Sequence, residues 1–118
     1  MALRPATNDD YHAFHGMQAP LHWSGLVEAT DYFIRGIGGI YLARDDRWWM
    51  FFKRAPGVRM TKTAHKAATI LINSVFDTGM TVRAIPDLDI QGAEVWLRRL
   101  GFEKTTEIIE GHTVWKLG

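Results

Sequence analysis

The run from Lys53 to Gly79, KRAPGVRMTKTAHKAATILINSVFDTG, limits what this chain can fold into more than any other stretch. Ala64, Ala67, Ala68, Leu71, Ile72 and Val75 recur at i, i+3, i+4, i+7, i+8 and i+11. Lys62, His65, Lys66, Thr69, Asn73 and Asp77 take the other side, so the run predicts one long amphipathic helix lying on a sheet. The alanines of its first two turns let the helix lie close. A strand ends near Arg54, and a short loop leads from it into the helix. A helix entered in this way presents unpaired backbone N–H groups and the positive end of its dipole, an arrangement that favours phosphate. Arg59, Thr61, Lys62 and Thr63 crowd that end with donors.

The rest of the chain is of a size to complete one such unit. At 118 residues, 47% hydrophobic and 23% charged, it is expected to form a single soluble domain over residues 1–118. No apolar run approaches the ~18 residues that span a bilayer. MALRPATNDD has neither the apolar core nor the cleavage site of a secretory signal, so a cytoplasmic protein with no membrane partner is expected. The absence of cysteine removes disulfides, thiolate metal sites and cysteine nucleophiles. A net charge of +1 gives no reason to expect nucleic acid as a partner, and the five tryptophans are mostly explained by core positions rather than base stacking.

In chain order, Ala2 to Ala6 reads as a first strand. Thr7-Asn8-Asp9-Asp10 then starts a short helix, about Asn8 to Gly16, with Thr7 capping, Asp10 answering three residues on, and Tyr11 and Phe14 facing inward. His12, His15 and His22 lack a carboxylate or fourth ligand at a recognisable spacing, so surface histidines are read here and no metal site. Ser24 to Gly39 fits helix or two strands about Thr30-Asp31. Strands are preferred because Gly36, Gly38 and Gly39 disfavour a helix while Tyr32, Phe33, Ile34, Ile37, Ile40 and Tyr41 suit a strand. After a turn at Asp45-Asp46, Trp48 to Phe52 is apolar on both faces and is expected to be central and covered on both sides. A strand over Met80 to Ala84 stops at Pro86. Ala93, Trp96, Leu97 and Leu100 mark a last helix, with Asp89 as N-cap, Gly101 just past its end and Glu94 able to pair with Arg98. Phe102 to Ile109 and His112 to Leu117 form a closing hairpin about Glu110-Gly111. This order predicts an α/β (α+β) class: a mixed, mostly antiparallel sheet of about seven strands with helices on both faces.

With that order, LRPATNDD at the start, GIGGIYL in the third strand, the Pro56-to-Gly79 loop and helix, and AEVWLRRLGFE near the end, the chain resembles the GNAT (Gcn5-related N-acetyltransferase) superfamily. Within it, the chain is similar to the small acetyltransferase-like proteins of tailed phages and prophages. The resemblance implies acetyl-CoA as co-substrate and an amine as acceptor. It also implies a parting of the fourth and fifth strands after Phe52 to admit the pantetheine arm, so that Phe52 and Arg54 border the cofactor. The family's pyrophosphate loop, R/Q-x-x-G-x-G/A, falls on Arg59-Met60-Thr61-Lys62-Thr63-Ala64, with pyrophosphate held by the backbone from Lys62 to His65.

Three departures bear on activity. Lys62 replaces the loop's middle glycine, which either adds a charge for the phosphate or narrows the loop. The tyrosine that protonates the departing thiolate in many members falls on Leu97, and Trp96 beside it has an N–H but cannot act as an acid in this pH range. One helix stands where two are usual between the first and second strands, a region that shapes the acceptor pocket in relatives. Candidate bases are Asp87, Asp89 and Glu28, each of which also reads as a cap or surface charge. Two functions remain open. One is an acetyl-CoA-dependent N-acetyltransferase acting on an unknown amine, favoured by Arg59, Thr61, Thr63 and Ala64. The other is a catalytically impaired protein of the same fold with a structural or binding role in a phage or prophage context, in a phage particle or against a host factor, favoured by Leu97 and Lys62.

Overall fold

The computed structural model describes residues 2–30, 33–55, 57, 62–76, 79–87 and 92–118, with the side chains of 2, 63, 64, 75 and 76 outside the description. Its elements follow the predicted order: β1 (Ala2–Pro5), α1 (Asn8–His15), β2 (Trp23–Ala29), β3 (Ile34–Leu42), β4 (Trp48–Arg54), α2 (Lys62–Phe76), β5 (Val82–Ala84), α3 (Ala93–Leu100), β6 (Glu103–Ile109) and β7 (His112–Leu117). Among the described residues the strands form one sheet in the order β1-β2-β3-β4-β5-β7-β6. Every pairing is antiparallel except that of β4 with β5.

Side chains alternate across a strand, so the register sorts the sheet into two faces. On one face Val27, Ile37 and Phe51 pack with Tyr11 and Phe14 of α1. On the other, Ile40, Val82 and Trp115 pack with Ile72 of α2 and Leu97 of α3. Helix α1 begins as its sequence predicts. Thr7 Oγ1 accepts from the Asp10 N–H at 3.2 Å, and the Asp10 carboxylate accepts from the Thr7 N–H at 2.8 Å, closing a capping box. Arg4 of β1 donates two further hydrogen bonds to that carboxylate, at 2.8 and 3.1 Å, and so ties the first strand to the first helix. Chiefly through these bonds, the Asp10 pKa is held down to about 2.

Close approach requires glycine at Gly25 of β2 and Gly39 of β3. Gly25 and Gly39 lie directly opposite each other, and a Cβ on Gly39 would stand 2.4 Å from the Ser24 carbonyl and 2.9 Å from the Phe51 ring. Helix α2 lies over the opposite face with Ala68, Leu71 and Ile72 buried and Lys62, Lys66, Thr69 and Asn73 exposed, the division its periodicity predicts. Helix α3 ends at Gly101 (φ 100°), where the Phe102 N–H bonds to the Leu97 carbonyl at 3.0 Å and turns Phe102 into the core.

Some expectations change. Strand β4 is central and packs on both faces, Trp48 and Met50 on one and Phe51 on the other, but the cover is partial: Trp49 is buried, whereas Trp48, Met50, Phe51 and Phe52 are half-buried. His15 is not a surface histidine. Its ring stacks on Tyr11 at 4.1 Å and meets Phe51 edge-on at 5.4 Å, and burial lowers its pKa. Glu94 pairs with Lys104 at 3.2 Å instead of with Arg98, whose guanidinium lies over the Trp115 ring. Asp89 lies outside the described residues, and Gly92 (φ 82°) precedes the first turn of α3.

Candidate functional site

The site begins with a short strand. Pro86 lacks an N–H and follows two residues after the end of β5, so β5 spans only Val82–Ala84. It pairs with β4 at two positions, Trp48↔Val82 and Trp49↔Arg83, while its far side stays paired with β7 through Ala84↔Trp115. Strand β4 continues to Arg54 in register with β3. In an antiparallel pair only alternate residues bond to the partner strand, so from Met50 onward every second N–H and C=O of β4 faces the side that β5 has left. These groups have no strand partner there among the described residues.

The opening is a cavity of about 260 Å³, just below the range of roughly 300–1,000 Å³ usual for small-molecule sites. Met50, Phe51 and Phe52 of β4 form one wall. Ala84 to Asp87 form the other, and Ala93, Trp96 and Leu97 of α3 cover it. Tyr41 of β3, the register partner of Trp49, lines the same cavity at the point where the strands part. Burial raises the Tyr41 pKa, with smaller contributions from Tyr11 and Asp45, so the phenol stays protonated at neutral pH.

A second hollow of about 30 Å³ lies under α2, bordered by Glu28, Arg35, Phe52, Arg54, Leu71 and Trp96. It has room for a water or two but not for a ligand. Glu28 and Arg35 meet here because of a bulge. Glu28 pairs with Gly36 and Ala29 with Ile34, which leaves Arg35 as the extra residue of β3, with its Nε 3.3 Å from Glu28 Oε1. Glu28 is therefore a buried member of an ion pair.

Of the residues singled out in the sequence, Phe52 lines both cavities, Arg54 the smaller one, and Asp87 the larger. Lys62 is exposed at the first position of α2, and His65 is half-buried one turn on. Thr63 and Ala64 lie in the first turn of α2 with side chains outside the description; Arg59, Thr61 and Asp89 lie outside the described residues. Leu97, at the position of the family's tyrosine, is 3% exposed and belongs to the core. Sequence reasoning gave the backbone of Trp48 to Arg54 a place facing the thioester oxygen but did not assign the side chains of Met50, Tyr41 or Trp96 to the site. The available signal was an aromatic run on β4 longer than a covered strand needs.

No protein-family model matches the sequence, and no curated protein matches it. Solved structures do match its fold. The ribosomal-protein-S18-alanine N-acetyltransferase from Escherichia coli aligns over 98% of this chain and 92% of its own, with a TM-score of 0.70 and 12% identity. The Salmonella typhimurium protein yncA, solved with its cofactor acetyl-CoA, aligns over 99% of this chain and 92% of its own, with a TM-score of 0.70 and 16% identity. A GnaT-family protein from Bordetella pertussis aligns over 81% of this chain with a TM-score of 0.66 and 17% identity; the match spans 64% of that protein, just under two thirds of its length. Together with the parted β4 and β5, these similarities show that the chain has the GNAT acetyltransferase fold.

Proposed function

We propose that this chain is a single-domain, cytoplasmic N-acetyltransferase that takes acetyl-CoA as co-substrate and an amine as acceptor. The observation that carries this reading is the parting of β4 from β5 beyond Trp49, with a cavity between them and, along one wall, backbone groups of β4 that have no strand partner among the described residues. In this reading the pantetheine arm fills the cavity. Pyrophosphate sits at the start of α2 against the backbone of Lys62 to His65, with charge from Arg59 and Lys62 and hydroxyls from Thr61 and Thr63, and Ala64 leaves room for the backbone to approach. Phe52 and Arg54 border the arm.

The reaction moves an acetyl group: the amine nitrogen forms a bond to the thioester carbon, and the carbon–sulfur bond breaks. Backbone N–H groups of β4 stabilise the oxygen on which charge develops. Asp87, on the cavity wall, takes the amine proton, and the Tyr41 phenol supplies one to the departing thiolate. Asp89 is held as a further base. Glu28, paired with Arg35 in the smaller cavity, is assigned to the fold. Calorimetric titration of CoA into the protein, followed by thiol release from acetyl-CoA with a panel of amines, tests the proposal. Saturable heat and amine-dependent thiol release are expected, with release reduced in Tyr41→Phe. No heat at millimolar CoA overturns it.

A second reading draws on one observation, the burial of Leu97 in the core where many relatives carry an acidic phenol. Here the chain keeps the fold without the chemistry and binds a partner protein of a phage particle or a host cell. CoA binding without thiol release on any amine, together with recovery of one phage or host protein at fixed stoichiometry, supports this reading against the first.

A further inference from the structure

We propose that the indole N–H of Trp96 is the hydrogen-bond donor that holds a carbonyl oxygen of the acyl-pantetheine arm in the cavity between β4 and β5. The inference rests on the proposed function and assigns to α3 a ligand-positioning residue.

Trp96 borders both the larger cavity and the small hollow beside it, and its ring lies 5.6 Å from that of Phe52, which borders the same two spaces. Its Nε1 is buried and has no hydrogen-bond partner among the described residues. Two other indoles have acceptors: Trp23 Nε1 donates to Asn8 Oδ1 at 2.8 Å, and Trp49 Nε1 to Asp45 Oδ1 at 3.4 Å. A buried donor without an acceptor is unfavourable, and native structures retain few of them without a reason in function or bound solvent. An indole donates and does not accept, so the complement it calls for is an oxygen lone pair. Carbonyl oxygens are what an acyl-pantetheine chain offers to such a donor, in its amides and in its thioester. Trp96 is thus placed to fix the depth of the arm, whereas Leu97, its neighbour on α3, is committed to the core.

The test uses the indole N–H signals of the five tryptophans, with the Trp96 signal identified by its absence in Trp96→Phe or by direct assignment in the unsubstituted protein. CoA and acetyl-CoA are each titrated. The expected result is a downfield shift of the Trp96 N–H on binding, with affinity falling roughly three- to tenfold in Trp96→Phe, the loss of one neutral hydrogen bond. A shift with both ligands assigns the acceptor to a pantetheine amide; a shift with acetyl-CoA alone assigns it to the thioester. Binding that leaves the Trp96 signal unmoved, or that Trp96→Phe leaves unchanged, overturns this inference while the proposed function stands, and indicates a water in the small hollow as the partner. No binding of either ligand overturns both.

Discussion

Trp49 of β4 and Arg83 of β5 are the last residues at which the two central strands stay in register. Beyond them β4 runs on to Arg54 without β5, because β5 ends at Ala84 and Pro86 follows. A sheet that parts at its centre loses ladder hydrogen bonds where they are hardest to replace. Buried backbone groups need partners, and in the proposed function a ligand in the adjoining cavity supplies them.

The Glu28–Arg35 pair is expected to be structural. Glu28→Gln leaves Arg35, about a quarter exposed, without its buried partner and should cost about 1–3 kcal/mol after allowing for the solvent that reaches the guanidinium. Thermal unfolding should shift down by several degrees while CoA affinity is retained. Unchanged stability with lost thiol release would instead return Glu28 to the role of base.

Acid should loosen the junction of β1 with α1. The Asp10 pKa in the fold, about 2, lies below the ordinary carboxylate value, so the contribution of this group is complete above about pH 4 and is lost as pH falls through 2. The Arg4 side chain is 45% exposed, which limits the contribution to roughly 1–2 kcal/mol. Asp10→Asn should flatten this part of a denaturant-stability profile; an unchanged slope between pH 4 and pH 2 would assign the acid sensitivity elsewhere.

Gly39→Ala should be poorly tolerated. The new methyl group would meet the Ser24 carbonyl at 2.4 Å, a backbone atom held by the β2–β3 pairing, so relief requires moving a strand. A loss of about 2 kcal/mol or more is expected in urea unfolding. A loss under half of that would mean the strands separate more easily than their register implies.

Much of this architecture is legible in the chain because the signals are local. The Thr7–Asp10 capping box, the period of α2 and the Gly101–Phe102 exit from α3 are each set by residues a turn apart. The parting of β4 and β5 was expected only through the resemblance, and after Phe52; the strands part three residues earlier, beyond Trp49, because β5 ends at Ala84 ahead of Pro86. Features that depend on register were not legible. Nothing in the order of residues pairs Glu28 with Arg35 until a bulge brings them together. Likewise Trp96 and Leu97 both suit the inner face of a helix, and only the packed structure shows that both line the larger cavity, Leu97 as a buried member of the core and Trp96 half-buried at its edge. His15 looked like a surface residue because its stacking partner, Tyr11, lies one turn away on the face counted as buried.

Replacement of Arg59 and Lys62 tests the phosphate end of the site. Each alanine substitution should weaken CoA binding roughly ten- to hundredfold, the loss of a charge-assisted hydrogen bond of about 1.5–3 kcal/mol. Dephosphorylated pantetheine should be insensitive to both substitutions. Equal losses for CoA and pantetheine would show that the two side chains act on the fold and not on phosphate.

Amide hydrogen exchange along β4, with and without acetyl-CoA, tests the central claim most directly. In the free protein, protection should be high at Trp48 and Trp49, which are flanked by strands on both sides, and should step down at alternate residues from Met50 to Arg54. Millimolar acetyl-CoA should raise protection from Met50 to Arg54 and leave β6 and β7 unchanged. Uniform slow exchange along the whole strand in the free protein, or exchange from Met50 to Arg54 that acetyl-CoA does not alter, would contradict a cofactor site between β4 and β5.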